Sequence, residues 1–327
     1  AKTAGAAPPS SAPDPAHPFA ALSGLRARLA PASVDFDDDQ AEGAWVEGLV
    51  AAAHDDLHLD AEGRILFPAA PAAVAHVAPQ ARPSKAARTM TDAGPPTPDA
   101  HPTAPTLVPV ARLTRGASLL LPDVRLLGLT ELGAGARARV QRRLQAFARD
   151  VVSDLCAPLR ALSSAQLGPA ARGVVYQLEQ GLGTVLVRDA AEQLATLADA
   201  DRARFAEAGI EVGARLVQVP ALLAAQPLAV RGALCRAHAG EGAVFQAPSP
   251  RQASLRLPRG ATPRLYMACG FPPYGTRAVR GDLVERVHRA TREAGAAGRG
   301  QLARKVARWL ACPPLEAADV LEAIADG

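Results

Sequence analysis

Lysine is nearly missing from this sequence: it occurs only at positions 2, 85 and 305, so arginine carries almost all of the positive charge. Arginine presents a planar, bidentate donor set that suits carboxylate and phosphate partners. Aromatic residues make up only 4% of the chain, which argues against an aromatic-lined ligand pocket. The four cysteines, Cys156, Cys235, Cys269 and Cys312, are widely spaced and form no CxxC pair. That excludes a dense disulfide scaffold and a zinc finger, and it fits a reducing compartment. No apolar run has the length of a membrane span, and no signal-peptide pattern opens the chain. The sequence therefore reads as that of a soluble, cytoplasmic protein with no membrane partner. Its first residue is Ala, which points to a fragment or a processed product.

Nucleotide, metal and nucleophile motifs are also missing. The P-loop pattern GxxxxGK[ST] matches nowhere. Gly133-Ala134-Gly135 with Ala138 imitates a dinucleotide fingerprint, but it leads into one long Arg-rich helix with no second strand in range, so it reads as a helix entry. His54-Asp55-Asp56-Leu57-His58 resembles H-E-x-x-H with Asp in place of Glu. The shorter carboxylate would hold water elsewhere and no third ligand follows, so a polar helix end is expected. An EF-hand loop from Asp35 would need Gly and Glu where the chain has Gln40 and Val46, so the acids at 35–39 read as a helix N-terminus. Ser118, in Gly116-Ala117-Ser118-Leu119, lacks the second Gly of a nucleophile elbow. No catalytic, cofactor-binding or metal-ligating residue is assigned, and an enzymatic role for the chain stays uncertain.

What the sequence does contain is alanine-rich helical periodicity. Val140, Leu144, Phe147, Val151, Leu155, Leu159 and Leu162 recur in steps of three and four, predicting one long amphipathic helix with Arg137, Arg139, Arg142, Arg143 and Arg149 on its other face. Further helices are expected from Pro169, over 190–197, over 201–208 with Gly209 as C-cap, and over 220–239 with a break at Pro227. The fold class expected is mainly α: a helical core domain, a small β-containing subdomain and flexible Pro/Ala-rich segments. Four regions follow: 1–39, a disordered N-terminal segment; 40–132, a small α+β subdomain interrupted by a flexible insertion at 78–106; 133–262, a central helical domain; and 263–327, a basic helical module. Within the first, HPFAALSGLRARLAP sets Phe19, Leu22, Leu25 and Leu29 at helical spacing, either docking on its own protein or serving as a partner-binding motif.

The net charge of +4 permits a polyanion partner. Arg277, Arg280, Arg286 and Arg289 gather around one predicted helix entrance, Arg292, Arg299, Arg304, Lys305 and Arg308 continue the theme, and Tyr266, Phe271 and Tyr274 offer stacking faces beside them. Such donors grip phosphates without reading sequence. The competing reading is a solvated helix face with Asp282 and Glu285 as ion-pair partners.

Several segments, taken in order, resemble a known family: LDAEGRILF (59–67), ARVQRRLQAF (138–147) with APLRAL, ARGVVYQLEQGLG (171–183), residues 205–234, GFPPYGTRAVRGDLVERV (270–287) and WLACPPLEAADVLEAI (309–324). Together they are similar to the region C-terminal to the motor in bacterial superfamily-two, DExH-type RNA helicases related to the helicase of the mitochondrial degradosome. The resemblance covers roughly two-thirds of the chain. It departs from the family in lacking both RecA-like domains, in the insertion at 78–106, and in placing near its start a segment usually found at the C-terminus. What it implies is a non-motor accessory module that guides single-stranded RNA or DNA or braces the motor, with ATP and Mg only in an attached motor. The implied partners are single-stranded nucleic acid, an upstream motor and RNA-degradation proteins, with Arg277, Arg280, Arg286 and Arg289 as phosphate contacts. The alternative is a helical protein-interaction scaffold without nucleic-acid binding.

Overall fold

The computed structural model describes residues 39–69, 106–129, 132–163, 166–294 and 299–326. The N-terminal amphipathic stretch, the acids before Asp39 and nearly all of the insertion expected at 78–106 lie outside those residues. The described residues form eleven α-helices and three small antiparallel sheets, so the architecture is mainly helical.

Helix α1 (Asp39–Ala51) buries Trp45, Val46 and Leu49. A four-stranded sheet follows in the order β1 (His58–Leu59), β2 (Arg64–Pro68), β3 (Leu107–Ser118), β4 (Leu121–Leu126). The Asp60 carboxylate accepts the N–H groups of Glu62 and Arg64, closing the β1–β2 turn as an Asx turn. Between β2 and β3 the register shifts, with Ile65 opposite Ala111 and Leu66 opposite Pro109, so Val110 is the extra residue of a bulge. The buried set on β3 changes phase there, from Val108 and Val110 to Ala111 and Leu113.

The long helix predicted from Val140 to Leu162 is two. Helix α2 (Ala134–Leu155) stops at Cys156, and α3 (Ala157–Ser163) restarts the run. Pro158 has no N–H to give Asp154, so the ladder is interrupted, while Pro is well tolerated in the first turn of the new helix. The stripe also shifts, with Val152 in the core and Val151 only half-buried.

Helix α4 (Pro169–Gln180) leads to Leu182, whose φ of 50° and that of Gly183, 93°, reverse the chain into β5 (Thr184–Leu186). Helices α5 (Ala191–Ala195) and α6 (Asp199–Glu207) come next. Gly209, at φ 72°, closes α6 with Ile210 N–H donating to Phe205 O, a Schellman cap. Strands β6 (Glu211–Val212) and β7 (Leu216–Gln218) then complete a second sheet in the order β5-β7-β6. Helix α7 (Ala225–Ala239) carries Pro227 inside its first turn; the expected break falls instead at Ala224, after a 3-10 turn over Pro220–Leu223. Strand β8 (Ser254–Arg256), helix α8 (Pro263–Ala268), and strands β9 (Pro273–Tyr274) and β10 (Arg277–Val279) precede α9 (Gly281–Ala294), α10 (Arg299–Leu310) and α11 (Pro314–Asp326). Residues 273–279 form a hairpin in a third sheet, order β8-β10-β9. One apolar core runs from Trp45 to Ala278, shared by residues of 40–132 and 133–262; a second joins Leu216, Tyr274 and Val279 to the three last helices.

Arginine does much of the internal tying. The last turns of α1, α5, α8 and α11 contain no basic residue of their own. A helix end leaves carbonyls without intrahelical donors. Guanidinium groups from elsewhere supply them: Arg143 donates to Ala52 O at 3.1 and 2.9 Å, Arg202 to Leu194 O at 2.8 Å, Arg215 to Ala325 O at 2.8 Å, and Arg231 to Ala268 O at 2.7 Å. Arg231 is fully buried, and it also donates to Leu222 O at 3.3 Å and Thr184 Oγ1 at 2.8 Å. Gly270, at φ 75°, makes room for it, since a Cβ there would lie 2.8 Å from Nη1. Burial pushes this guanidinium down to about 10, with the Cys269, Cys235 and Cys156 thiols acting the other way, so it remains charged at neutral pH. Arg231→Ala opens a cavity and strands two buried carbonyls, and should cost about 3–5 kcal/mol in urea unfolding. A loss below about 1 kcal/mol would mean that those carbonyls find other donors.

Candidate nucleic-acid interface

The last three helices put their charges outward because their apolar residues claim the inner face. Val284 and Val287 of α9, Leu302, Val306, Ala307 and Leu310 of α10, and Ala317, Val320, Leu321 and Ile324 of α11 fill one shared core at helical spacings. Asp282 in the first turn of α9 and Arg292 in its last complement the helix dipole. With the inward positions taken, Arg286, Arg289 and Arg292 on α9 and Arg304, Lys305 and Arg308 on α10 are exposed. None of these six is ion-paired among the described residues. Trp309 gathers two of them: the Arg286 guanidinium lies over its ring at 4.1 Å, and the Lys305 ammonium at 5.1 Å. Such cation–π contacts hold a charge in place without neutralising it. Gln301, Leu302, Arg304, Lys305 and Arg308 line a broad concavity of about 640 Å³ on this face.

Helix α9 is anchored from beneath by a carboxylate. Glu285 accepts the backbone N–H groups of Ala214, Arg215 and Leu216 at 3.0, 2.8 and 2.8 Å, all from the β6–β7 turn. Successive N–H groups converging this way form an anion nest, and the protein fills it with its own side chain. Gly213 permits the approach, because a Cβ there would sit 2.4 Å from Glu285 Oε1. Arg215 then donates from Nε to His288 Nδ1 at 3.1 Å and from Nη2 to the end of α11. Burial, followed by the Arg215 charge, holds the His288 imidazole below its ordinary value.

The four arginines expected as phosphate contacts divide into two pairs. Arg277 on β10 is buried, donating to Ser254 Oγ at 3.0 Å and to Glu316 Oε2 at 2.5 Å, while Ser254 donates to Leu310 O at 2.6 Å. It ties β8, α10 and α11 together. Arg280 is clasped by Asp282, with both contacts at 2.7 Å, and that hydrogen bond raises its pKa. Arg286 and Arg289 are the exposed pair. The suggested stacking faces lie inside: Tyr266 and Phe271 are fully buried, and Tyr274 is 7% exposed. Trp309, which the sequence reading did not single out, stands among the cations instead; its one sequence signal is Lys305, four residues earlier on the same helix.

The segment 54–58, expected as a polar helix end, is instead a 3-10 turn and the start of a strand, after α1 has ended at Ala51. His54 and His58 therefore share no helix face. No group of three or more metal-ligating side chains occurs among the described residues. Gly133 is the N-cap of α2, and α3 follows where a parallel strand would have to come. No helix among the described residues is long and apolar enough to cross a membrane. No protein-family model, curated protein or solved structure matches the chain.

Two outcomes follow. Glu285→Ala, which leaves three N–H groups without their acceptor, should cost roughly 2–4 kcal/mol in denaturant unfolding; a change within about 0.5 kcal/mol would show that the nest does not hold α9. The depressed His288 sets a pH dependence. An unfolded histidine titrates near 6.5, so as the pH falls the unfolded chain takes up the proton first. The stability that His288 contributes is full above 6.5 and drains as the pH falls through that value toward the lower folded one. His238, also depressed by burial and then by Arg115 and Arg264, adds in the same sense. Thermal melts should drop across this window, and His288→Asn should flatten the drop; an unchanged slope would contradict it.

Proposed function

We propose that the chain is a non-motor accessory module of an ATP-dependent RNA or DNA helicase, and that it holds single-stranded nucleic acid on the α9–α10 face. The helicase part of this reading rests on the sequence segments described above. The nucleic-acid part rests on one observation: six exposed cations on two packed helices, none paired with a carboxylate among the described residues. Phosphate contacts require mobile or outward donors, and Arg286, Arg289, Arg292, Arg304, Lys305 and Arg308 meet that need. Arg277 and Arg280 act one layer deeper, holding β10 and the start of α9 in place. ATP and its metal belong to the motor.

A protein-interaction scaffold is the second reading, favoured by an apolar cavity of about 490 Å³ lined by Phe147, Val151, Leu155, Pro158, Leu222 and Val230 among others. Salt dependence separates the two. For a single strand, about four phosphate contacts give a log–log slope near −3, so affinity for oligo(U) RNA should fall roughly 50-fold between 50 and 200 mM salt. Removing Arg289 or Arg308 should lessen the slope by about 0.7 each. Arg277→Ala should lower stability first. Absence of binding at low salt refutes the nucleic-acid reading.

A further inference from the structure

A separate cavity of about 400 Å³ opens where the end of β3, the end of α4, the last turn of α7 and the start of α8 meet. Its polar lining is Arg115, Ser118, Gln180, His238, Thr262 and Arg264, and no carboxylate lines it. Arg115 and Arg264 are exposed and make no ion pair or hydrogen bond among the described residues. Glu241, just beyond α7, turns to Arg112 and Arg125 instead, at 3.3 and 2.6 Å. His238 Nδ1 is buried without a hydrogen-bond partner. Two permanent cations therefore face a titratable imidazole across a concave space with nothing to balance them.

We propose that this cavity binds a phosphate group between the Arg115 and Arg264 guanidiniums, with His238 completing the ring of donors. The two fixed cations match the charge of a phosphate dianion, and His238 adds a third positive charge only when protonated. The Ser118 and Thr262 hydroxyls and the Gln180 amide offer neutral donors for further oxygens. A space of this size also fits a sugar attached to the phosphate. In the unliganded site burial, and after it the Arg115 and Arg264 charges, hold His238 below its ordinary value. Of the groups facing it from other elements, β3 and α8 supply these cations and α4 only the neutral Gln180. Phosphate binding and proton uptake by His238 are consequently linked: the anion raises the imidazole pKa. The site shares no residue with the α9–α10 face, and it stands or falls independently of the nucleic-acid reading.

Histidine side-chain NMR of the full chain provides the test. His238 is titrated with pH in the presence of inorganic phosphate and in chloride of equal ionic strength. Phosphate should raise the His238 pKa saturably, and Arg115→Gln with Arg264→Gln should weaken binding about tenfold or more. Both side chains are outward and unbonded, so that variant should keep the wild-type melting temperature. An unmoved His238, an equal shift in chloride, or full binding by the double variant overturns the proposal. Uridine 5′-monophosphate and oligo(U) with and without a 5′-phosphate then separate sources. Preference for the phosphorylated strand identifies a strand end as the ligand, whereas equal strength for inorganic phosphate identifies the free ion. Variants at Arg289 and Arg308 should leave the His238 response untouched.

Discussion

Carbonyl oxygens at the ends of short helices are the constraint around which this protein is arranged. Alanine-rich segments form helices readily, four of these helices have no basic residue in the last turn, and a buried carbonyl left without a donor costs about 1–3 kcal/mol. Four such ends are met by guanidinium groups from distant parts of the sequence, which makes each cap also a tertiary tie. Arg143 binds α2 to α1, Arg215 binds the β6–β7 turn to α11, and Arg231 holds α7, α8 and β5 around itself. Arginine suits this role because its five donors fan out in a plane and its charge survives burial.

The same residue type then does two jobs that exposure and partnership distinguish. Arginines that are buried with oxygen partners are internal struts; Arg277, with Ser254 and Glu316, belongs with Arg231 in this class. Among the arginines that make no ion pair, five stand with Lys305 on the outer face of α9 and α10 and two line the cavity bounded by β3, α7 and α8. Two acids near these places are engaged elsewhere, Glu285 by three backbone amides and Glu241 by two arginines, while Glu293 lies beside Arg289 and Arg292. The fold thus withholds Glu285 and Glu241 from these cations, which leaves them open to an external polyanion.

Much of this was legible before any coordinates. The steps of three and four from Val140 to Leu162 mark core positions because helix burial is periodic, and Gly209 marks a helix end because it tolerates positive φ. Strands of two or three residues, such as β9 and β10, are too short to show alternation, so the second and third sheets were invisible. The break at Cys156 needed Pro158 to be weighed against an unbroken apolar stripe. The site was half legible. Charge clustering found α9, but nothing local separates Arg277, whose partners lie 23 and 39 residues away, from Arg289, which has none. Arg115, His238 and Arg264 come from three distant stretches and carry no shared sequence signal.

The division between structural and outward arginines is most directly tested by following arginine Nε–Hε resonances while single-stranded RNA is added at low salt. Signals of Arg286, Arg289, Arg292, Arg304 and Arg308 should shift and saturate together, while those of Arg231, Arg277 and Arg280 stay fixed. Movement confined to the buried set, or no movement in any arginine, would contradict the account.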